Sequence, residues 1–229
     1  ARQLLPSDSR PLAGLGNAYY WQGRYADAGR EYGNWIAVAP EDANAHLLLG
    51  MLYRVQGDDA QALPELERAA ALATCSTAEH KVLGGAYYDA GRYGEAAAEY
   101  RKAAEIDPKD ADAFYLLGAM YQNQAWEGAS PGQAEQVDPT DERLAQAAAA
   151  LEKAVSLRPD LVQAQFALGN VYMEQGAYEK AAAAWEAAVA ANPADGEYLA
   201  SLAHAYSKLG RSADESAAYE RALALGDDA

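Results

Sequence analysis

The chain is poor in the residues that usually carry chemistry. Among 229 residues there is one cysteine, Cys75, so no intrachain disulfide and no cysteine-rich metal site can form. The histidines, His46, His80 and His204, are scattered, and His46 and His80 lack a third ligand at metal-binding spacing. Basic residues are scarce: 18 Lys and Arg stand against 34 Asp and Glu, a formal charge of −16. A nucleic-acid backbone needs the opposite surface, which excludes that class of partner. No apolar run approaches the roughly eighteen residues of a membrane-spanning helix, so no membrane insertion is expected of this segment. Glycine-rich phosphate loops, H-E-x-x-H and G-x-S-x-G are missing, and no nucleophile stands beside a base. Neither an enzyme nor a cofactor is expected. The opening Ala-Arg-Gln has no signal-peptide pattern and no Met. A processed or cut chain is the expectation, with cytoplasm and periplasm equally compatible; the Ala-rich, acidic style suggests a bacterial source.

What is abundant is repetition. Half of the residues are apolar, which argues against disorder. Tyrosines fall at 19, 53, 87 and 121, then at 172 and 206. A glycine or alanine precedes each by three (Gly16, Gly50, Gly84, Gly118, Gly169, Ala203) and a leucine precedes each by four. A second glycine follows each tyrosine by four, except after Tyr121. The period is 34, with one insertion of 17. Within each unit, apolar residues at spacings of three and four (Leu12, Leu15, Gly16, Tyr19) predict a first helix, ended near the second glycine. A second helix carries Ala28 and Tyr32 and stops at Pro40; Pro108, Pro159 and Pro193 are equivalent stops. Ser9 before Arg10-Pro11 reads as a cap and an early proline.

The L-G-x-x-Y core, the alanine nine residues after the tyrosine (Ala28, Ala62, Ala96, Ala181), the later alanine (Ala69, Ala103, Ala154, Ala188, Ala222) and the closing proline resemble the tetratricopeptide repeat. Six repeats are counted, 9–42, 43–76, 77–110, 111–161, 162–195 and 196–229, with 125–141 a loop insertion in the fourth. Residues 1–8 fit the tail of a preceding repeat. The resemblance implies an all-α fold, one right-handed α-solenoid over 1–229 whose first helices line a concave groove. No polar capping helix follows the last repeat, which suggests a longer array, or an end that a partner or another copy covers.

Several positions depart from the pattern. Trp35 replaces a small alanine, with Gly29 and Gly33 nearby to make room. Pro64 lies inside a second helix and is expected to kink it or delay its start. His46 and His80 share one repeat position and read as packing residues, with a pH-sensing pair as the sharper alternative. In the insertion, Trp126 is its one large apolar residue and a candidate flap over the groove. Cys75 falls in a turn between repeats and reads as inert.

By resemblance, the groove-facing positions hold an apolar and aromatic strip: Tyr20, Trp21, Leu47, Met51, Tyr88, Tyr115, Phe166 and Met173. Leu47 and Phe166 are equally compatible with the core. Charged members are Arg10, Arg54, Lys81 and Lys208 against Asp89, Asp112, Glu174 and Glu197, so the groove is near neutral in an acidic chain. Asn17 and Asn170 stand at one repeat position that packing does not demand, and an amide there can grip an extended backbone. Family members that hold a C-terminal carboxylate pair that asparagine with a lysine four residues earlier. Here Ala13 and Phe166 occupy those places, and Lys81 is followed by Gly85, so that clamp is not reproduced. The expected function is a non-catalytic module that binds a peptide or helix of a protein partner through Asn17, Tyr20, Trp21, Met51, Arg54, Lys81, Tyr88, Tyr115, Asn170 and Met173. A self-assembling scaffold, and a docking or regulatory region of a longer protein, are the alternatives.

Overall fold

The computed structural model describes residues 10–73, 75–127, 138 and 140–227, and the described residues form twelve α-helices and no strand. The expected tail at 1–8 and the cap at Ser9 lie outside the described residues. The helices are α1 (Arg10–Trp21), α2 (Tyr25–Val38), α3 (Ala43–Val55), α4 (Asp59–Leu72), α5 (Thr77–Asp89) and α6 (Tyr93–Ile106), then α7 (Ala111–Glu127), α8 (Glu142–Leu157), α9 (Val162–Glu174), α10 (Tyr178–Ala191), α11 (Gly196–Lys208) and α12 (Ser212–Asp227). The chain divides into two compact units, Ala1–Asp107 and Pro108–Ala229. Within each, helices pair as hairpins and each hairpin packs on the next.

The punctuation falls where the sequence places it. Gly23, Gly57, Gly91, Gly176 and Gly210 have φ between 69° and 74°, a left-handed turn that a side chain rarely adopts. The second helices α2, α6, α8 and α10 end two residues before Pro40, Pro108, Pro159 and Pro193. After Tyr121, where the turn glycine is missing, α7 runs on through Glu127. The expected loop therefore does not begin at Ala125: residues 125–127 are helical, and Ala125 is buried. Arg143 closes the added turn by donating through Nη1 to the Gln124 carbonyl, while its backbone N–H is capped by Asp141 at 2.8 Å.

The glycine of L-G-x-x-Y is a socket for the partner helix. A Cβ at Gly16 would meet the ring of Tyr32; Gly84 is covered likewise by Tyr100, Gly50 by Leu66, Gly118 by Leu151 and Gly169 by Trp185. Ala28, Ala62, Ala69, Ala96, Ala103, Ala154, Ala181 and Ala188 are fully buried between helices. The repeat tyrosine also joins hairpins. Tyr87 donates to Glu67 at 2.7 Å, Tyr172 to Glu152 at 2.5 Å and Tyr206 to Glu186 at 2.8 Å, each across 20 residues. Burial first, then the Glu67 contact, pushes the Tyr87 hydroxyl up to about 12.

Trp35 is buried in the first unit's core, where its indole N–H donates to Asp42 at 3.1 Å, so it is a packing residue and presents no ring to a partner. The two glycines do not make room for it: the side-chain position of Gly29 lies 3.2 Å from Leu52, and nothing approaches Gly33. Pro64 does not delay its helix: α4 starts at Asp59, capped by Asp58, with Pro64 inside. His46 and His80 are both buried, and each pairs through Nδ1 with a glutamate of the following helix, Glu65 at 2.6 Å and Glu99 at 2.7 Å.

Candidate functional site

The expected groove residues lie on the first helices of their hairpins, but they meet different fates. In the first unit Asn17 accepts a hydrogen bond from the Tyr32 hydroxyl at 2.7 Å, so its amide oxygen is engaged by the fold. Arg54 reaches from α3 to α5, where Nη2 pairs with Asp89 and Nη1 lies 3.5 Å from the Val82 carbonyl. Its guanidinium fills space left by Gly85, 3.5 Å from where a Cβ would stand. Lys81 is half-buried. The aromatics are more available. Trp21 is 83% exposed, with Tyr20 edge-on to it at 5.4 Å and Tyr25 beyond at 5.8 Å. Tyr88, tilted against Tyr93 at 5.6 Å, and Met51 are also exposed.

In the second unit, several expected residues converge on one cavity of about 1180 Å³. Gln122, Asn123 and Trp126 of α7, Asn170, Met173 and Glu174 of α9, and Ser201, His204 and Lys208 of α11 line it. These are three consecutive first helices, the face where a groove was expected. Tyr115 is half-buried on α7 and is not among its lining residues. Phe166 stacks on Tyr198 at 4.7 Å and lies 6.4 Å from Trp185, which makes it part of the packing between hairpins.

Trp126 is not carried on a flap. It sits on the last turn of α7, and its indole N–H donates to Glu174 Oε1 at 3.0 Å, joining α7 to α9. Gln122 Nε2 donates to the same oxygen at 2.7 Å. Burial holds the Glu174 carboxyl above the usual carboxylate range, against the pull of these two donors. Asn170 makes no side-chain hydrogen bond among the described residues, unlike its counterpart Asn17. The cavity therefore presents an unengaged amide, a flexible thioether and a carboxyl group from α9 and an indole from α7. Gln122, Asn123, Ser201 and His204 escaped the sequence reading. Gln122 and Asn123 stand one and two residues after the repeat tyrosine, as Tyr20 and Trp21 do, and the missing glycine after Tyr121 signalled the extra turn of helix, residues 124–127, that adds Trp126 to the wall.

Among the described residues no group of three or more His, Cys, Asp or Glu could hold a metal, and no helix is long and apolar enough to cross a membrane. Cys75 is exposed.

An all-α chain of tandem helical hairpins with this spacing is a protein-interaction fold of the α-solenoid class. Sequence models described as TPR repeat or tetratricopeptide repeat match residues 13–78, 84–124, 140–176, 169–210 and 196–225, so the chain belongs to the tetratricopeptide repeat family. A search of curated protein sequences gives no match. Among solved structures, MamA is similar with a TM-score of 0.68 and 23% identity, covering 79% of this chain and 95% of MamA. PilF of Pseudomonas aeruginosa has a TM-score of 0.69 at 18% identity, covering 92% of this chain and 88% of PilF. YrrB, described as a TPR protein with an unusual peptide-binding site, has a TM-score of 0.68 at 19% identity, covering 86% and 93%. At these identities the likeness shows the fold.

Proposed function

We propose that this chain is a non-catalytic binding module that holds a peptide or helix of a protein partner against the first helices of its second unit. The observation that carries this reading is the cavity between α7, α9 and α11, open and lined by Asn170, Met173, Trp126 and Glu174. Its volume suits several side chains of an extended segment. Its mixed lining matches how peptides are recognised: apolar contacts supply affinity, and a few polar groups fix register. Asn170 supports the reading further, since an unengaged amide offers both a donor and an acceptor to a backbone. The peptide-binding site named for YrrB, which shares the fold, points the same way.

The test is selection of peptides from a displayed random library on the whole chain, followed by fluorescence polarisation against Asn170→Ala and Met173→Asp. Selected peptides are expected to lose tenfold or more in affinity on Met173→Asp, with the circular dichroism of the variant unchanged. Peptides indifferent to both substitutions would place recognition elsewhere. Light scattering over a hundredfold dilution separates this reading from self-assembly: a mass fixed near the 24.4 kDa of the chain supports a monomeric binder, and a mass that rises supports a scaffold.

A further inference from the structure

One group lining the second unit's cavity is left unsatisfied by its own walls. Glu174 receives Gln122 and Trp126 on a single oxygen, Oε1, while Oε2 is enclosed and has no hydrogen-bond partner. An enclosed acceptor with no donor costs about 1–3 kcal/mol, and more when it is charged. The cavity's other titratable groups are Asp138, Tyr178, His204 and Lys208, and none of them pairs with Glu174 among the described residues. The cost is carried by a residue that lines the cavity.

We infer that this cavity selects its peptide by a basic side chain, lysine or arginine, whose cationic head donates to Glu174 Oε2. The inference rests on the function proposed above and names the ligand chemistry of the same site. Three features support it. Oε1 is held by two donors from α7, so the carboxyl is already anchored and offers one further acceptor. The terminal torsion of a glutamate is soft, so Oε2 can turn to an incoming donor in exchange for part of the contacts that Gln122 and Trp126 make with Oε1. Trp126 and Tyr178 also line the space, and aromatic faces attract a cation that leaves water; Met173 can follow the apolar stem. Glu174 and Asp138 stand against one lysine, Lys208, among the lining residues, so the acidic groups outnumber the basic one.

Three fluorescein-labelled 12-residue peptide pools serve as probes, identical but for a central Lys, Gln or Glu between randomised apolar residues. Binding is measured on the whole chain at physiological ionic strength, against wild type, Glu174→Gln and Met173→Asp. Glu174→Gln keeps the size of the side chain and removes its charge. The expected result is at least tenfold tighter binding of the Lys pool than of the Gln and Glu pools, with the difference collapsing in Glu174→Gln. A Lys preference that survives Glu174→Gln overturns the assignment, because the acidic surface as a whole would then be its source. Equal binding of all pools, lost in Met173→Asp, also overturns it while leaving the proposed function standing. No binding by any pool, or binding indifferent to Met173→Asp, overturns both.

Discussion

Gly169→Ala adds one carbon, and its effect can be worked from the neighbours it meets. The new Cβ would lie 2.5 Å from Trp185 Cδ1 and 2.7 Å from Cε2, distances that packed atoms do not tolerate. Trp185 is 3% exposed and cannot swing into solvent without opening the core of its hairpin. Shifting the ring also strains the hydrogen bond from its indole N–H to the Phe166 carbonyl, 3.2 Å away. Alanine in place of glycine gains about 0.8–1 kcal/mol in helix propensity. Overpacking costs about 1–3 kcal/mol, and a lost buried hydrogen bond about 1 kcal/mol more. The net expectation is destabilisation by about 1–3 kcal/mol, from those same terms. Gly33→Ala is the control. It lies mid-helix in α2 with nothing within 4 Å of its side-chain position, so only the propensity gain remains, and stabilisation by about 0.5–1 kcal/mol is expected. The sixth repeat already shows the alternative: Ala203 stands at the socket position, and Tyr219, the residue that would cover it, is 41% exposed. Urea denaturation followed by far-UV circular dichroism measures both changes. If Gly169→Ala matches or exceeds wild-type stability, the socket argument is wrong.

Three further outcomes are expected. Gly33 stands where Glu67, Glu152 and Glu186 accept from the next hairpin's tyrosine, so Gly33→Glu should give Tyr53 the same partner; it should exceed Gly33→Ala by about 0.5–1 kcal/mol, an excess that Tyr53→Phe removes in a double-mutant cycle. His80→Leu should destabilise by about 2–3 kcal/mol in denaturant melts, because Glu99 stays buried without its imidazole partner and keeps Lys102 beside it, whereas His46→Gln should cost less, since Gln165 at the equivalent position already donates to the Pro159 carbonyl as His46 Nε2 meets Pro40. Glu174 binds its proton more tightly in the folded chain, so its contribution to stability grows as pH falls through its raised folded pKa and levels off below the unfolded value; melts from pH 8 to pH 5 should show Glu174→Gln more stable than wild type at the alkaline end, with the gap closing on acidification.

The hairpin order, the turn glycines and the proline stops were legible because each is a backbone event tied to one residue type. A positive φ between paired helices calls for glycine, and a proline cannot continue the ladder. The reach of α7 was less legible. The missing glycine after Tyr121 marked a changed turn, but the continued helix is met by Arg143, nineteen residues beyond Gln124, whose guanidinium donates to the Gln124 carbonyl. Pro64 shows the reverse: a local breaker does not end the helix where Asp58 caps its start and Ala62, Leu66 and Ala69 are buried along it.

The candidate site was legible in position and not in availability. Asn17 and Asn170 occupy the same place in two nearly identical stretches, and periodicity assigns them one role. What separates them lies sixteen positions after the preceding glycine, on the second helix of each hairpin. In the first repeat that residue is Tyr32, whose hydroxyl ends beside Asn17 and donates to it at 2.7 Å. In the fifth it is Trp185, whose N–H turns instead to the Phe166 carbonyl at 3.2 Å and leaves the Asn170 amide unengaged. Both rings reach past the glycine, but the hydroxyl donates to the asparagine while the indole N–H donates to a backbone carbonyl, so the identity of one buried ring decides whether the asparagine above it serves the fold or a ligand. Trp185→Tyr should therefore engage Asn170 from below and weaken peptide binding; because Trp185 also lines the cavity, Trp185→Phe, which loses the same indole, is the control. The measurement is the affinity of a selected peptide for Trp185→Tyr and for Trp185→Phe. Weaker binding for tyrosine than for phenylalanine is the expected result, and equal affinities would sever the link between the socket and the site.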